Sequence, residues 1–159
     1  ALLLLSRPPV VAGPTVETRL LTWFSGLPAL VGLLGKNLAY HALLKRVINS
    51  PGWLDQLTIK QQVNLLSILV ICVQPAIVEE LYFRYLALGT LRRFMGVHGA
   101  VLISSVMFGL AHLGVPLSVP MLTVIGVGLG YLRVYSGSLV LPMLVHLAHN
   151  TVVLIIEAR

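Results

Sequence analysis

Five mainly apolar stretches follow one another along this sequence, separated by short segments rich in turn-forming or charged residues. A helix needs roughly 20 predominantly apolar residues to cross the hydrocarbon core of a bilayer, and the stretches approach that length. The pattern predicts an all-α, polytopic membrane helix bundle of about five transmembrane helices. Their expected bounds are Leu20 to about Gly35, about Val63 to Leu88, about Gly99 to Leu113, about Leu117 to Tyr135, and Leu139 to about Ile156.

The same pattern divides the chain into three regions. Residues 1–19 are expected to form an irregular arm, because three prolines interrupt any helix there. Residues 20–62 contain the first span and an amphipathic segment at the membrane interface, and residues 63–156 form the core. Within the core, the sequence LGTLRRFMG at 88–96 has arginines beside apolar side chains, which suits an interfacial helix.

Composition supports the membrane assignment and argues against one class of partner. The chain of 159 residues is 57% hydrophobic and only 10% charged, whereas soluble domains contain about 25% charged residues. Its net charge is +6, but the basic residues outside the core motifs lie near the ends of the apolar stretches, as interfacial anchors do. We therefore expect lipid as a partner and no nucleic acid.

Several polar side chains interrupt the apolar stretches at the depth of a membrane interior. Ionisable side chains in such positions are costly, so each one is a candidate functional residue. Glu79, Glu80 and Arg84 lie in the second stretch, and His112 lies in the third. The fifth stretch contains three more, which are His146, His149 and Asn150.

Helical spacing predicts which of these side chains share a face. Glu80 and Arg84 are four residues apart, in the order that favours an ion pair, and His146 and Asn150 have the same spacing. Glu79 points about 100° away from Glu80, so the two glutamates can have different roles. At about 1.5 Å of rise per residue, Glu79, His112, His146 and Asn150 fall in one slab of the membrane. We expect them to meet in a polar intramembrane cavity.

One proline leaves a backbone group available near this cavity. Pro75 has no N–H group, so the carbonyl of Ile71 loses its ordinary helical partner. Such breaks occur in membrane helices where neighbouring groups can satisfy the freed carbonyl.

Three motifs in this order resemble those of the CPBP family, which comprises CAAX prenyl proteases and bacteriocin-processing, abortive-infection-type intramembrane proteases. EELYFR at 79–84 resembles Glu-Glu-x-x-x-Arg, FGLAH at 108–112 resembles Phe-x-x-x-His, and HLAHN at 146–150 resembles His-x-x-x-Asn. The resemblance covers about residues 63–156. The HExxH, GxSG and GxGD signatures of other intramembrane proteases are absent from the sequence.

The resemblance implies an intramembrane endopeptidase with a membrane-protein or peptide substrate. Its catalytic set would be Glu79, His112, His146 and Asn150, supported by Glu80, Arg84 and Phe108. The family is described both as glutamate-dependent without metal and as metal-dependent, so zinc at Glu79, His112 and His146 stays open. A bacterial cytoplasmic membrane and a plastid or thylakoid membrane fit equally well.

A second interpretation makes the chain a non-proteolytic membrane subunit. The same fold would then act as a scaffold or assembly factor beside other membrane subunits of a larger complex. A third and weaker alternative is a proton-relay or transport protein, because buried glutamate and histidine side chains also mark those proteins.

Overall fold

The computed structural model describes residues 23–47 and 63–158, and these residues form helices without any strand. Four helical runs account for most of the described residues, and one of these runs contains two helices joined at a bend. A short 3₁₀ turn at Pro116–Ser118 precedes the third run. The arm at 1–19, the start of the predicted first span and residues 48–62 lie outside the described residues. The helices are α1 (Gly26–Val47), α2 (Leu65–Leu110), α3 (Val119–Ser136) and α4 (Val140–Glu157).

The predicted class, an all-α membrane bundle, is confirmed. Among the described residues, three helical segments are long and apolar enough to cross a membrane, and a shorter apolar helix follows at Val140–Ile156. The three segments are Gly26–Leu44, Leu65–Leu110 and Pro116–Ser136. The predicted second and third spans are both present, as the two helical arms of the run Leu65–Leu110 on either side of a sharp bend at Gly96.

That run is folded back on itself at Gly96. Gly96 has φ 73° and ψ −174°, a backbone conformation that disfavours residues with a Cβ atom. We call the arm at 65–95 α2a and the arm at 97–110 α2b. The two arms pack side by side, since the rings of Phe83 and Phe108, which lie equally far from the bend, are 5.3 Å apart.

Two predicted boundaries differ from the structure. The first helix continues to Val47, so part of the expected interfacial segment is helical. The second span was predicted to end at Leu88, but α2a continues without a break through 88–95 as far as Gly96. Glu79 precedes Gly96 by 17 residues, which corresponds to about 25 Å along α2a.

The start of α2a follows from a capping box. Asn64 Oδ1 accepts a hydrogen bond from the Ser67 backbone N–H, and Ser67 Oγ accepts one from the Asn64 N–H, both at 2.9 Å. Farther along, π-helical segments at Ile68–Val73 and Leu81–Ala87 flank the α-helical turns Gln74–Glu80. Such segments widen a helix locally and are frequent at functional sites.

Helix α3 lies close to both arms of α2 because glycines line the contact. A Cβ atom on Gly126 would lie 3.0 Å from Ser105 Cβ, and one on Gly130 would lie 3.0 Å from Val101 Cγ1. Small residues at helix interfaces permit such close approach in membranes. On its other side, α3 shares an apolar cluster with α1 and α4, formed by Leu33, Met121, Ile125, Leu129, Leu132, Leu141 and Val145.

Gly109 is the tightest of these contacts, and we expect Gly109→Ala to destabilise the bundle. The new Cβ would lie 2.9 Å from the Val119 carbonyl oxygen and would collide with Thr123 Oγ1. Overpacking of this kind costs about 1–3 kcal/mol. Thermal unfolding in detergent should therefore begin at a lower temperature for this variant.

The matched control is Gly89→Ala, also within a helix, where no heavy atom lies within 4 Å of the added Cβ. It should unfold at or slightly above the temperature of the original protein, because alanine favours helix over glycine. Equal unfolding of the two variants would contradict the packing of α2b against α3.

Candidate active site

Glu79 lies beside two histidines that come from other parts of the chain. His112 Nε2 is 3.7 Å from Glu79 Oε1, and His146 Nε2 is 3.9 Å from Glu79 Oε2. Glu79 belongs to α2a, His112 follows α2b, and His146 belongs to α4. The hairpin at Gly96 and the packing of α4 against α2a thus bring three of the sequence-predicted residues together.

Hydrogen bonds at the far side of each imidazole ring fix which nitrogen faces Glu79. His112 Nδ1 is 2.9 Å from the Phe108 carbonyl oxygen, and His146 Nδ1 is 2.9 Å from Glu80 Oε1. Both partners are acceptors, so each Nδ1 carries a proton and donates it. In a neutral imidazole Nε2 is then a lone-pair acceptor, and both Nε2 atoms are directed at the Glu79 carboxylate.

Glu80 lies at the buried end of the site. Its side chain has no exposed surface, and Oε1 lies 3.2 Å from Arg84 Nη1 as well as 2.9 Å from His146 Nδ1. Arg84, also buried, donates through Nη2 to the Gly126 carbonyl oxygen at 3.3 Å. The ion pair that the spacing of Glu80 and Arg84 predicted is therefore present, and it links α2a to both α3 and α4.

Two buried aromatic rings, Phe83 and Phe108, pack beside these charged groups. Phe108 is almost fully buried, and its ring centroid lies 4.5 Å from Arg84 Cζ and 5.8 Å from the His146 ring. It also packs against His112 at 5.1 Å, while Phe83 meets it edge to face. The guanidinium over the Phe108 ring gains a cation–π attraction, which is strongest where water is excluded.

Asn150 forms its inter-helix hydrogen bond with the backbone of α2a. Its Nδ2 donates to the Ile71 carbonyl oxygen at 3.2 Å, which is the carbonyl that Pro75 leaves without a helical donor. His149 Nδ1 lies 3.4 Å from Asn150 Oδ1. No hydrogen bond or ion pair within 23–47 and 63–158 joins Asn150 to Glu79, His112 or His146. The amide thus ties α4 to the proline break in α2a and retains one further N–H group.

Exposure divides the site into a reactive edge and a supporting interior. The side chains of Glu79 and His112 are 25% and 29% exposed, whereas those of Glu80, Arg84 and His146 are at most 4% exposed. A molecule entering from the surface would therefore meet Glu79 and His112 first. The adjacent glutamates occupy different environments because successive helix positions point about 100° apart.

The residues suggested for zinc provide ligand atoms of suitable types, namely two imidazole nitrogens and a carboxylate. In the part of the chain that the structure describes, however, no three His, Cys, Asp or Glu side chains are arranged to hold a metal ion. Zinc at Glu79, His112 and His146 stays a hypothesis that this geometry does not support.

Sequence spacing pointed to most of these side chains but missed the backbone and aromatic partners. The Gly126 carbonyl oxygen accepts a hydrogen bond from Arg84, and the Phe108 carbonyl oxygen accepts one from His112. The Phe83 ring packs against the Phe108 ring. Only Phe83 had a signal in the sequence, since it stands inside the EELYFR motif. The glycines at 126 and 130 indicated close packing, but spacing cannot indicate which carbonyl an arginine will contact.

A model of a known protein family matches the part of the sequence that carries this site. The sequence model described as "Type II CAAX prenyl endopeptidase Rce1-like" matches residues 61–152, which is more than half of the chain. The match agrees with the family that the three motifs resemble. No curated protein and no solved structure matches the chain.

We expect Glu80→Gln to weaken folding, because it leaves the buried Arg84 guanidinium without its counter-charge. Removing one partner of a buried ion pair costs about 3–5 kcal/mol. Denaturant titration of the protein in mixed micelles should show this loss. Glu79→Gln is the matched control, since Glu79 is partly exposed and makes no direct pair with Arg84.

The control should unfold within about 1 kcal/mol of the original protein, as substitutions away from buried networks usually do. An unchanged stability of Glu80→Gln would contradict the structural role of the pair. Loss of activity by Glu80→Gln at unchanged stability would instead make Glu80 itself catalytic.

Proposed function

The chain belongs to the Rce1-like family, and from this premise we propose that it is an intramembrane endopeptidase in which Glu79 activates water. The observation that carries the proposal is the partly exposed Glu79 carboxylate beside the Nε2 atoms of His112 and His146. Family membership supports peptidase activity in general, and this geometry supports the specific roles proposed below.

In this mechanism a water molecule bridges Glu79 and His112. Their atoms are 3.7 Å apart, too far for a direct hydrogen bond but suitable for a contact bridged by water. The Glu79 oxygen and the unprotonated Nε2 of His112 are both acceptors, so such a water would donate one proton to each. Its lone pairs would then be directed away from both groups, toward a peptide carbonyl at the open edge.

Attack by this water forms the tetrahedral intermediate. The water oxygen bonds to the carbonyl carbon while Glu79 takes one of its protons as general base. Glu79 then returns the proton to the amide nitrogen, the C–N bond breaks, and a carboxylic acid and an amine are released. His112 keeps the water oriented through its Nε2, because its Nδ1 proton is held by the Phe108 carbonyl.

His146 and Asn150 are proposed to stabilise the oxyanion. For His146 Nε2 to donate, the ring must carry protons on both nitrogens, with the Nδ1 proton donated to Glu80 Oε1 at 2.9 Å. Asn150 would contribute the N–H group that Ile71 does not accept. Donors fixed in this way stabilise developing charge without having to reorganise during the reaction.

We expect Glu79→Gln to abolish most of the cleavage while the protein still inserts and folds. Glutamine keeps the volume of the side chain but removes the base, and a positioned base contributes roughly 10²- to 10⁴-fold to the rate. The measurement is cleavage of a fluorescent, farnesylated peptide ending in a CAAX sequence, with the enzyme reconstituted in liposomes. The same peptide without its lipid tests whether the prenyl group is needed.

Glu157→Gln, at the last residue of α4, makes the same substitution away from the site and should cleave at the original rate. Cleavage by Glu79→Gln at the original rate would refute the mechanism. Absence of cleavage of both peptides by the original protein, with a co-purifying complex recovered from the original and variant forms alike, would favour the scaffold interpretation.

A further inference from the structure

Helices α2a and α3 run beside each other in a regular register that ends in two arginines. Arg84 donates to the Gly126 carbonyl, and one turn farther a Cβ on Gly130 would lie 3.7 Å from Leu88 Cδ1. The next turn of α2a brings Arg92, and the next turn of α3 brings Arg133. The register therefore puts the two arginines on neighbouring turns of α2a and α3, near enough for the Arg92 charge to act on Arg133.

These two arginines have no counter-charge in the described part of the chain. The acidic residues there are Glu79, Glu80 and Glu157. The first two belong to the candidate active site, and Glu157 is the last residue of α4, about 25 Å along that helix from the end that follows α3. Arg92 lies about 20 Å along α2a from Glu79, well beyond contact. The carbonyl end of α3 offsets part of the Arg133 charge, since Arg133 lies in its last turn.

Arg133 also has an unsatisfied donor. Its side chain is half-buried, and its Nε atom is shielded from solvent without a hydrogen-bond partner among the described residues. A buried hydrogen-bond donor without a partner is costly. The two nearby positive charges also repel each other. An anion between the two guanidinium groups would remove both penalties.

The tyrosines near this pair are of the kind found at the level of lipid headgroups. Tyr131 and Tyr135 stack with ring centroids 5.7 Å apart, and the Tyr131 hydroxyl lies 2.8 Å from His98 Nδ1. Tyrosines gather at membrane–water interfaces, where their rings contact lipid and their hydroxyl groups reach water. Arg93, which is exposed, adds a third positive charge beside Arg92.

We propose that Arg92 and Arg133, with Arg93 at the rim, bind the phosphate of an anionic phospholipid headgroup. Guanidinium groups form paired hydrogen bonds with phosphate oxygens, and basic pockets between membrane helices are suited to acidic headgroups. A lipid is favoured over free phosphate because the apolar surface of the two helices continues below the pair, where acyl chains would lie. This site does not depend on the proposed peptidase activity.

The test measures lipid binding to the detergent-solubilised protein by native mass spectrometry. Phosphatidylglycerol is titrated beside phosphatidylcholine, and inorganic phosphate is added in a third arm. We expect one phosphatidylglycerol to bind more tightly than phosphatidylcholine. The double variant Arg92→Gln/Arg133→Gln should weaken this binding by about 10- to 30-fold. Inorganic phosphate at millimolar concentration should not displace the lipid.

A charge-matched control removes two exposed basic groups on α1, in the double variant Lys36→Gln/Arg46→Gln. It should bind phosphatidylglycerol as the original protein does. Arg92→Gln alone changes only an exposed side chain, so it replaces the double variant as the test if the double variant does not fold. Its phosphatidylglycerol binding should be weaker by about fivefold.

If the two double variants lose phosphatidylglycerol binding equally, the proposed site is wrong, because the loss would then reflect only the change in net charge. Displacement of the lipid by phosphate, or binding of phosphate without lipid, would overturn the assignment to a headgroup. A loss confined to the Arg92 and Arg133 variants would support it.

Discussion

The Glu80 carboxylate is the group on which the arrangement of the other helices depends. It has no exposed surface, and one of its oxygens contacts both Arg84 on its own helix and His146 on α4. Arg84 extends the connection to the Gly126 carbonyl on α3. A buried ion pair often adds little net stability compared with apolar packing. Here the ion pair fixes how three helices align with one another, because its charges are satisfied only when those helices are in register.

Adjacent glutamates can have opposite environments because a helix turns by about 100° per residue. Glu80 points into the bundle, where its charge is neutralised, while Glu79 points to an edge that solvent or substrate can reach. The inner glutamate also holds His146 by Nδ1, which directs the other ring nitrogen at the outer glutamate. The supporting network and the candidate chemistry are therefore connected through a single imidazole ring.

Pro75 interrupts the hydrogen bonding of α2a, and a contact with α4 compensates for the interruption. Pro75 deprives the Ile71 carbonyl of its helical donor, and Asn150 on α4 supplies a replacement. In a bilayer such a carbonyl cannot turn to water, so a neighbouring helix must satisfy it. The break thus favours one position of α4 against α2a, which is also the position that brings His146 to Glu79. In this integral membrane protein of the Rce1-like family, backbone satisfaction and site assembly depend on the same contact.

The sequence alone determined the helical class, the polar residues at depth, the pairing of Glu80 with Arg84 and the family. Those features depend on hydropathy and on spacing within one helix, which follow from the 3.6-residue period. Only the tertiary structure decided that the two arms before and after Gly96 are joined by a bend at that single residue and pack side by side, since a glycine in a helical pattern does not reveal its φ angle. It also decided that His146 contacts both glutamates and that Asn150 binds the Ile71 carbonyl. Spacing fixes a side chain's direction around its own helix axis, but the rotation of one helix relative to another is set by packing between them.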